Sequence, residues 1–192
     1  MPITVQDLVT PHLRSLLAGL SPEQRRALLG RLGQQLANDL KAHFAARESE
    51  GNQRGWPRSH FWAREVREQT ALREYDESSA TVGIASAKFA HKVTGGTIRP
   101  GPGRKALAIP LRPEVAGKLP RSNPIPGLFL VKRGPRAWLA AREGKALRIY
   151  WALVPSVTQQ PDARALPPRE QLQRSLEERA QKELGRILQQ PH

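Results

Sequence analysis

The sequence predicts an α+β protein: N-terminal helices and a C-terminal helix packed on a central antiparallel sheet of hairpins. Three observations carry the prediction. Apolar residues recur at three- and four-residue steps near both ends of the chain. Between them the apolar period shortens toward two. Turn dipeptides, among them Gly134-Pro135 and Glu143-Gly144, punctuate that middle region. Strands in a run, flanked by helices, give an α+β arrangement. The expected organisation is a single domain over residues 1–192. Residues 1–47 form a helical hairpin, 60–155 a mainly β region with basic loops, and 168–190 the C-terminal helix.

In the first segment Val5, Leu8, Val9, Leu13, Leu16, Leu17 and Leu20 form one apolar stripe, with Pro11 starting or bending the helix and Thr10 as a cap. "SPEQRRALL" opens a second helix: Ser21 caps it, Pro22 takes the first helical position and Gln24 completes a capping box. Leu28, Leu32, Leu36, Leu40 and Phe44 continue its stripe. The polar, glycine-punctuated stretch 48–59 is a loop, which Trp56, Phe61 and Trp62 staple to the core.

From Val66 the alternation Val66, Glu68, Thr70, Leu72, Glu74 predicts a strand, although "HFWAREVREQTAL" also fits a helical period. Asp76–Ser79 is the hairpin turn and 81–85 the return strand. "SAKFAHKV" is a short helix ended by Gly95 and Gly96. "GTI" and "KALAIPL" are two short strands joined by the basic turn Arg99–Lys105. Beyond a proline-rich connection at 120–127, "LFLVKR", "RAWLAAR" and "ALRIYWALV" form a three-stranded meander. In its last strand, Leu147, Ile149, Trp151 and Leu153 share one face and Tyr150, Ala152 and Val154 the other, with both sets buried. The final helix carries Leu172, Leu176, Ala180, Leu184 and Leu188 down one face.

Charge is concentrated. The chain's formal net charge is +14, and residues 88–148 hold 14 Lys/Arg against 2 Asp/Glu, while both flanks are nearly neutral. A field this lopsided implies either an acidic partner (nucleic acid, an acidic protein surface or a neighbouring subunit) or a solvated face that aids solubility. Cysteine is absent, which excludes a disulfide framework and a thiolate nucleophile. No apolar run reaches membrane length, and the N-terminal residues do not read as a signal peptide.

The glycine-rich stretch 90–111 superficially resembles a phosphate loop. In the frame Gly96–Gly101 the next residue must be Lys; it is Pro102, which has no N–H to donate. Catalytic and metal sites find no support. His12, His43, His60, His91 and His192 lack metal spacing, and His91 reads as a packing or surface residue. Glu65, Glu68, Glu74, Asp76 and Glu77 fit the solvent face of a hairpin. Ser59 and Ser122 have no base nearby in sequence. Neither cofactor nor metal is expected.

The order "LLAGLSPEQRRALLGRLGQQL", "GWPRS", "ATVGIA" and "AHKVTGGTIRPGPGRKALAIPL" resembles the phage virion morphogenesis family, the tail-completion or tail-terminator-like proteins of Mu-like and related tailed phages. The similarity spans about residues 13–155 and is most specific at Gly95–Pro100 and Lys105–Leu111, with the turn lengthened here by Gly-Pro-Gly. It implies a non-enzymatic virion protein of the neck or upper tail, assembled in the host cytoplasm, that completes the tail and permits head joining. Its implied partners are further copies of itself in a closed ring, expected to be a hexamer, together with tail tube and head–tail connector proteins, near the genome DNA and away from membrane. On this reading the 90–111 stretch is a two-stranded arm or turn that docks on a neighbour. Arg99, Arg104, Lys105, Lys132, Arg133 and Arg136 supply the bases. The rival reading is a basic nucleic-acid-binding protein in which the same six residues meet phosphates.

Overall fold

A capping box opens the first described helix. In the computed structural model the Ser21 hydroxyl accepts from the Gln24 N–H at 3.2 Å, and the Gln24 side-chain oxygen accepts from the Ser21 N–H at 2.9 Å. Together they satisfy two donors that a helix start leaves open. With Pro22 in its first turn, helix α1 runs over Pro22–Ser49. The structure describes residues 3–5, 18–51, 55–57, 59–122 and 124–189, with only the backbone course for 3–5 and 188. The expected helical stripe Leu8, Val9, Leu13, Leu16, Leu17, with Thr10 and Pro11, lies outside the described residues. Val5 belongs to a strand, β1 (Ile3–Val5), and not to a helix, because it pairs with Val82 in an antiparallel ladder.

The chain divides into two compact units. The first comprises Met1–Glu50, His60–Thr94 and Asp162–His192; the second comprises Gly51–Ser59 and Gly95–Pro161. The fold class is α+β, with helices toward both ends of the chain and antiparallel sheets between.

The first unit sets α1, a short helix α2 (Ala87–Thr94) and the C-terminal helix α3 (Arg169–Leu188) with a three-stranded sheet. Strands β2 (Thr70–Tyr75) and β3 (Ala80–Ile84) form the expected hairpin, and the sheet order is β1-β3-β2. Asp76 makes the hairpin turn: the Ser78 and Ser79 N–H groups both donate to one carboxylate oxygen at 2.7 Å. The Ser78 hydroxyl and these amides hold the Asp76 carboxyl below its ordinary range.

Leu36, Leu40 and Phe44 of the α1 stripe are buried with Val82, Ile84 and Phe89, and Leu172 and Leu176 of α3 pack on the same cluster. Burying one such side chain is worth about 1.5–3 kcal/mol. Two helix glycines let α1 lie close to the hairpin. A Cβ at Gly33 would stand 2.6 Å from Leu72 Cδ1, and one at Gly30 would stand 2.8 Å from the Tyr75 ring. Farther along, α1 and α3 bury Leu28 and Leu184 together. They are also joined through the buried carboxylate of Glu183, 2.7 Å from Arg31 and 3.0 Å from both Arg179 and Arg186.

Residues 61–67 correct the sequence reading. Val66 and Glu68 do not begin a strand. Phe61–Arg67 is a π-helical turn, closed by the Glu68 N–H on the Ala63 carbonyl, and the strand starts at Thr70. Tertiary packing overrides the alternation: Trp62 stacks on Phe44 at 6.0 Å and meets Phe89 edge-on at 6.2 Å. Phe61 and Trp62 thus do tie this region to the core.

Among its described residues the second unit contains six strands in two sheets. Strands β4 (Gly96–Ile98) and β9 (Val157–Gln159) pair antiparallel. Strands β5 (Leu107–Pro110), β6 (Phe129–Arg133), β7 (Arg136–Glu143) and β8 (Ala146–Val154) form a sheet ordered β5-β8-β7-β6. The β6-β7-β8 meander is as expected. The two-stranded arm is not: β4 pairs with β9 and β5 with β8, so the strands flanking the basic turn never pair with each other.

Strand β8 lies inside its sheet, yet both faces are not buried along its length, since Leu147 is 53% exposed. Simple alternation also fails. Leu139 opposes Trp151 while Ala140 opposes Ile149, so Tyr150 is the extra residue of a register shift. Adjacent Tyr150 and Trp151 consequently enter one cluster, with Val115 and Ala141. The C-terminal helix buries Ala180 and Leu184 as expected. Among the described residues no helix is long and apolar enough to cross a membrane.

Candidate docking surface

Strand register decides where the basic residues meet. Leu107 opposes Val154 at one end of the four-stranded sheet, Ala137 opposes Leu153, and Arg133 opposes Arg136. Arg104 and Lys105 therefore precede the start of β5, Arg136 begins β7, and Lys132 and Arg133 finish β6, all at the same end. Ile98 opposes Val157, a few residues beyond the end of β8, and delivers Arg99 just past β4. All six predicted residues, Arg99, Arg104, Lys105, Lys132, Arg133 and Arg136, are exposed. None forms an ion pair among the described residues.

Turn chemistry explains why the chain can display them. The Arg104 N–H donates to the Gly101 carbonyl at 3.1 Å, with Pro102 and Gly103 between and Gly103 at φ +72°. Proline followed by a positive-φ glycine defines a type II turn. Pro102 and Gly103 at its tip are exposed. The Gly134-Pro135 turn, with Gly134 at φ +58°, likewise presents Arg133 and Arg136 as a facing pair.

The carboxylates of this segment sit at the opposite end. Residues 95–161 contain only Glu114 and Glu143. Arg148 lies 2.6 Å from Glu143 and 3.5 Å from Glu114. The Tyr150 hydroxyl donates to Glu143, which lowers the Glu143 carboxyl and raises the tyrosine; Arg148 adds to the first effect. The base-lined end is left without a carboxylate from its own segment. From β5 to β6 the row spans three strand spacings, about 14 Å. Exposed charges are screened beyond a Debye length of about 8 Å at physiological salt, so the field of this row depends on ionic strength.

Beside this row runs a groove of about 510 Å³. Its apolar lining includes Ile98, Leu119, Leu139, Leu153 and Val157, and its charged lining residues are Arg104, Lys105 and Arg121. Leu119 is 66% exposed. Leu119 and Arg121, at the start of the proline-rich connection, are not among the residues that the sequence singles out. The available signal is a large apolar residue set between cations, in Lys118-Leu119-Pro120-Arg121.

The remaining sequence candidates are dispersed. His91 is exposed on α2. Glu65 pairs with Lys88 at 2.7 Å. The Ser122 hydroxyl donates to the Leu119 carbonyl at 2.7 Å and so closes its own turn. Among the described residues no three His, Cys, Asp or Glu side chains are grouped to hold a metal. Comparison with family models, with curated proteins and with solved structures found no match to this chain.

Proposed function

We propose that this chain is a structural virion protein of a tailed phage, completing the tail at its head-proximal end and enabling head joining as a closed ring. The ring is expected to be hexameric. In that setting the base-lined end of the four-stranded sheet docks on acidic side chains of an adjacent subunit, tail tube protein or connector protein. One observation supports the docking role: six exposed cations converge on one sheet end that its own segment leaves without a carboxylate. The virion assignment itself draws on the sequence resemblance. Closed rings repeat a heterologous contact around an axis, and rim charges of this kind steer association and set its salt dependence.

The test is the double reversal Arg104→Glu with Lys105→Glu. Both residues are exposed, so stability should move by about half a kcal/mol at most, while the yield of joined, infectious particles should fall. Normal assembly with a normal melt refutes the docking role. The same cations also suit phosphates, so nucleic-acid binding is the second reading. Steep salt dependence of retention on plain duplex DNA, unmatched on acidic protein, would favour it.

A further inference from the structure

We propose that the open edge of β5, with the groove beside it, captures an extended acidic-apolar segment of a partner protein as an added β-strand. The inference deepens the docking reading and rests on it, because Arg104 and Lys105 belong to both surfaces. Three observations converge on one place.

The first is an edge that no described strand pairs with. Strand β5 is outermost in the order β5-β8-β7-β6. The Leu111 N–H donates to the Tyr150 carbonyl at 2.8 Å, which fixes the alternation of the ladder. Leu107, Ile109 and Leu111 point their backbone polar groups at β8, while Ala106, Ala108 and Pro110 turn theirs away from it. The outward set offers the N–H groups of Ala106 and Ala108. Pro110 has none to give and stops the edge from extending further.

The second is the apolar lining of the groove, in which Ala106, Leu107, Ala108 and Ile109 at the edge itself stand with Ile98, Leu119 and Val157, while Leu153 and Leu139 lie one and two strands inward. An added strand sends alternate side chains to one face, where they meet the β5 residues that line the groove. The third is charge. Arg104, Lys105 and Arg121 are the charged lining residues, and all three are cationic. The fitting segment is therefore short and extended, with apolar residues at alternate positions and carboxylates between or beside them.

The test uses the full chain and a fluorescein-labelled seven-residue peptide alternating valine with glutamate, read by fluorescence polarisation. Saturable binding is expected. It should weaken at least tenfold when lysine replaces glutamate in the peptide, when alternate peptide nitrogens are methylated, or when the protein carries Ala108→Pro or Leu119→Asp. Lys145→Glu, in the β7–β8 turn at the other end of the sheet, should leave it within twofold. Thermal melts check that the protein variants fold, and the methylated peptide tests the added strand even if Ala108→Pro does not. Absence of saturable binding, or equal binding of a polyglutamate peptide or of the methylated peptide, overturns the inference. Failure here alongside blocked assembly in the Arg104→Glu, Lys105→Glu protein leaves the docking reading standing. Peptide binding alongside normal assembly of that protein removes the docking reading instead.

Discussion

Three glycine-to-alanine substitutions measure how closely α1 approaches the β2–β3 hairpin. In a helix interior alanine is favoured over glycine by about 0.8–1 kcal/mol. Gly185 in α3 has nothing within 4 Å of an added Cβ, so Gly185→Ala should gain up to about 1 kcal/mol. At Gly33 the added methyl would stand 2.6 Å from Leu72 Cδ1 and 3.0 Å from Ala80 Cβ. The leucine methyl can rotate away; the alanine Cβ is fixed to its strand. Overpacking of this kind costs about 1–3 kcal/mol, so after the helix gain Gly33→Ala should lose about 1 kcal/mol net. Gly30 falls between. Its neighbour is the ring of Tyr75, which is 45% exposed and free to swing outward, at the loss of the Arg26 contact 5.8 Å above it. Thermal melts should rank Gly185→Ala above wild type, Gly30→Ala near it and Gly33→Ala below it. A step of about 1 kcal/mol corresponds to about 2–4 °C at this chain length. If Gly33→Ala melts as high as Gly185→Ala, α1 does not lie against the hairpin as described.

Trp151→Ala empties a fully buried position and should cost about 3 kcal/mol, the low end for such truncations. The indole N–H finds no acceptor among the described residues, so its removal returns part of the loss; a melt within a degree or two of wild type refutes this. Glu183 is held below its ordinary carboxyl value of 4.5, first by the hydrogen bond from Arg31 and then by the charges of Arg179 and Arg186. A lowered folded value contributes stability above the ordinary one, and that stability is lost as pH falls through the folded one. Glu183→Gln should therefore be less stable than wild type at neutral pH, with the gap closing as pH falls below 4.5, as read by denaturant titration on both sides. Truncation before Pro168 removes α3 and uncovers the cluster that Leu172 and Leu176 pack against; aggregation in light scattering is expected, and a soluble protein that still assembles contradicts it.

Local chemistry is readable where neighbours in sequence supply the interaction. Ser21, Pro22 and Gln24 announce the start of α1 because a capping box closes within one turn, and Asp76–Ser79 announces its hairpin for the same reason. The β6-β7-β8 meander follows from its turn residues. What stays hidden depends on partners distant in the chain. Nothing in "GTI" names β9 as its mate, and nothing in "KALAIPL" names β8. Val66 reads as a strand residue until Trp62 is seen stacked on Phe44. The Tyr150 register shift leaves no mark in the apolar pattern. At the docking surface the count of bases is legible, but their convergence on one sheet end requires the register, and the groove requires Leu119 and Arg121 to be brought beside β5.

The segment 95–161 leaves and rejoins the first unit's chain at one point. Gly95, at φ +68°, has Pro161 so near that a Cβ would stand 2.8 Å from its ring, and the Asp162 N–H donates to the Lys92 carbonyl at 2.8 Å. With its entry and exit adjacent, the segment has the form of a cassette set between α2 and the C-terminal region. Bridging Thr94 to Asp162 with a linker of about four residues shortens the loop by about four halvings, which lowers the entropic cost of closing it by about 2.5 kcal/mol. The same adjacency places both ends of the base-bearing segment within the span of a single surface turn, the kind of site where insertions are tolerated.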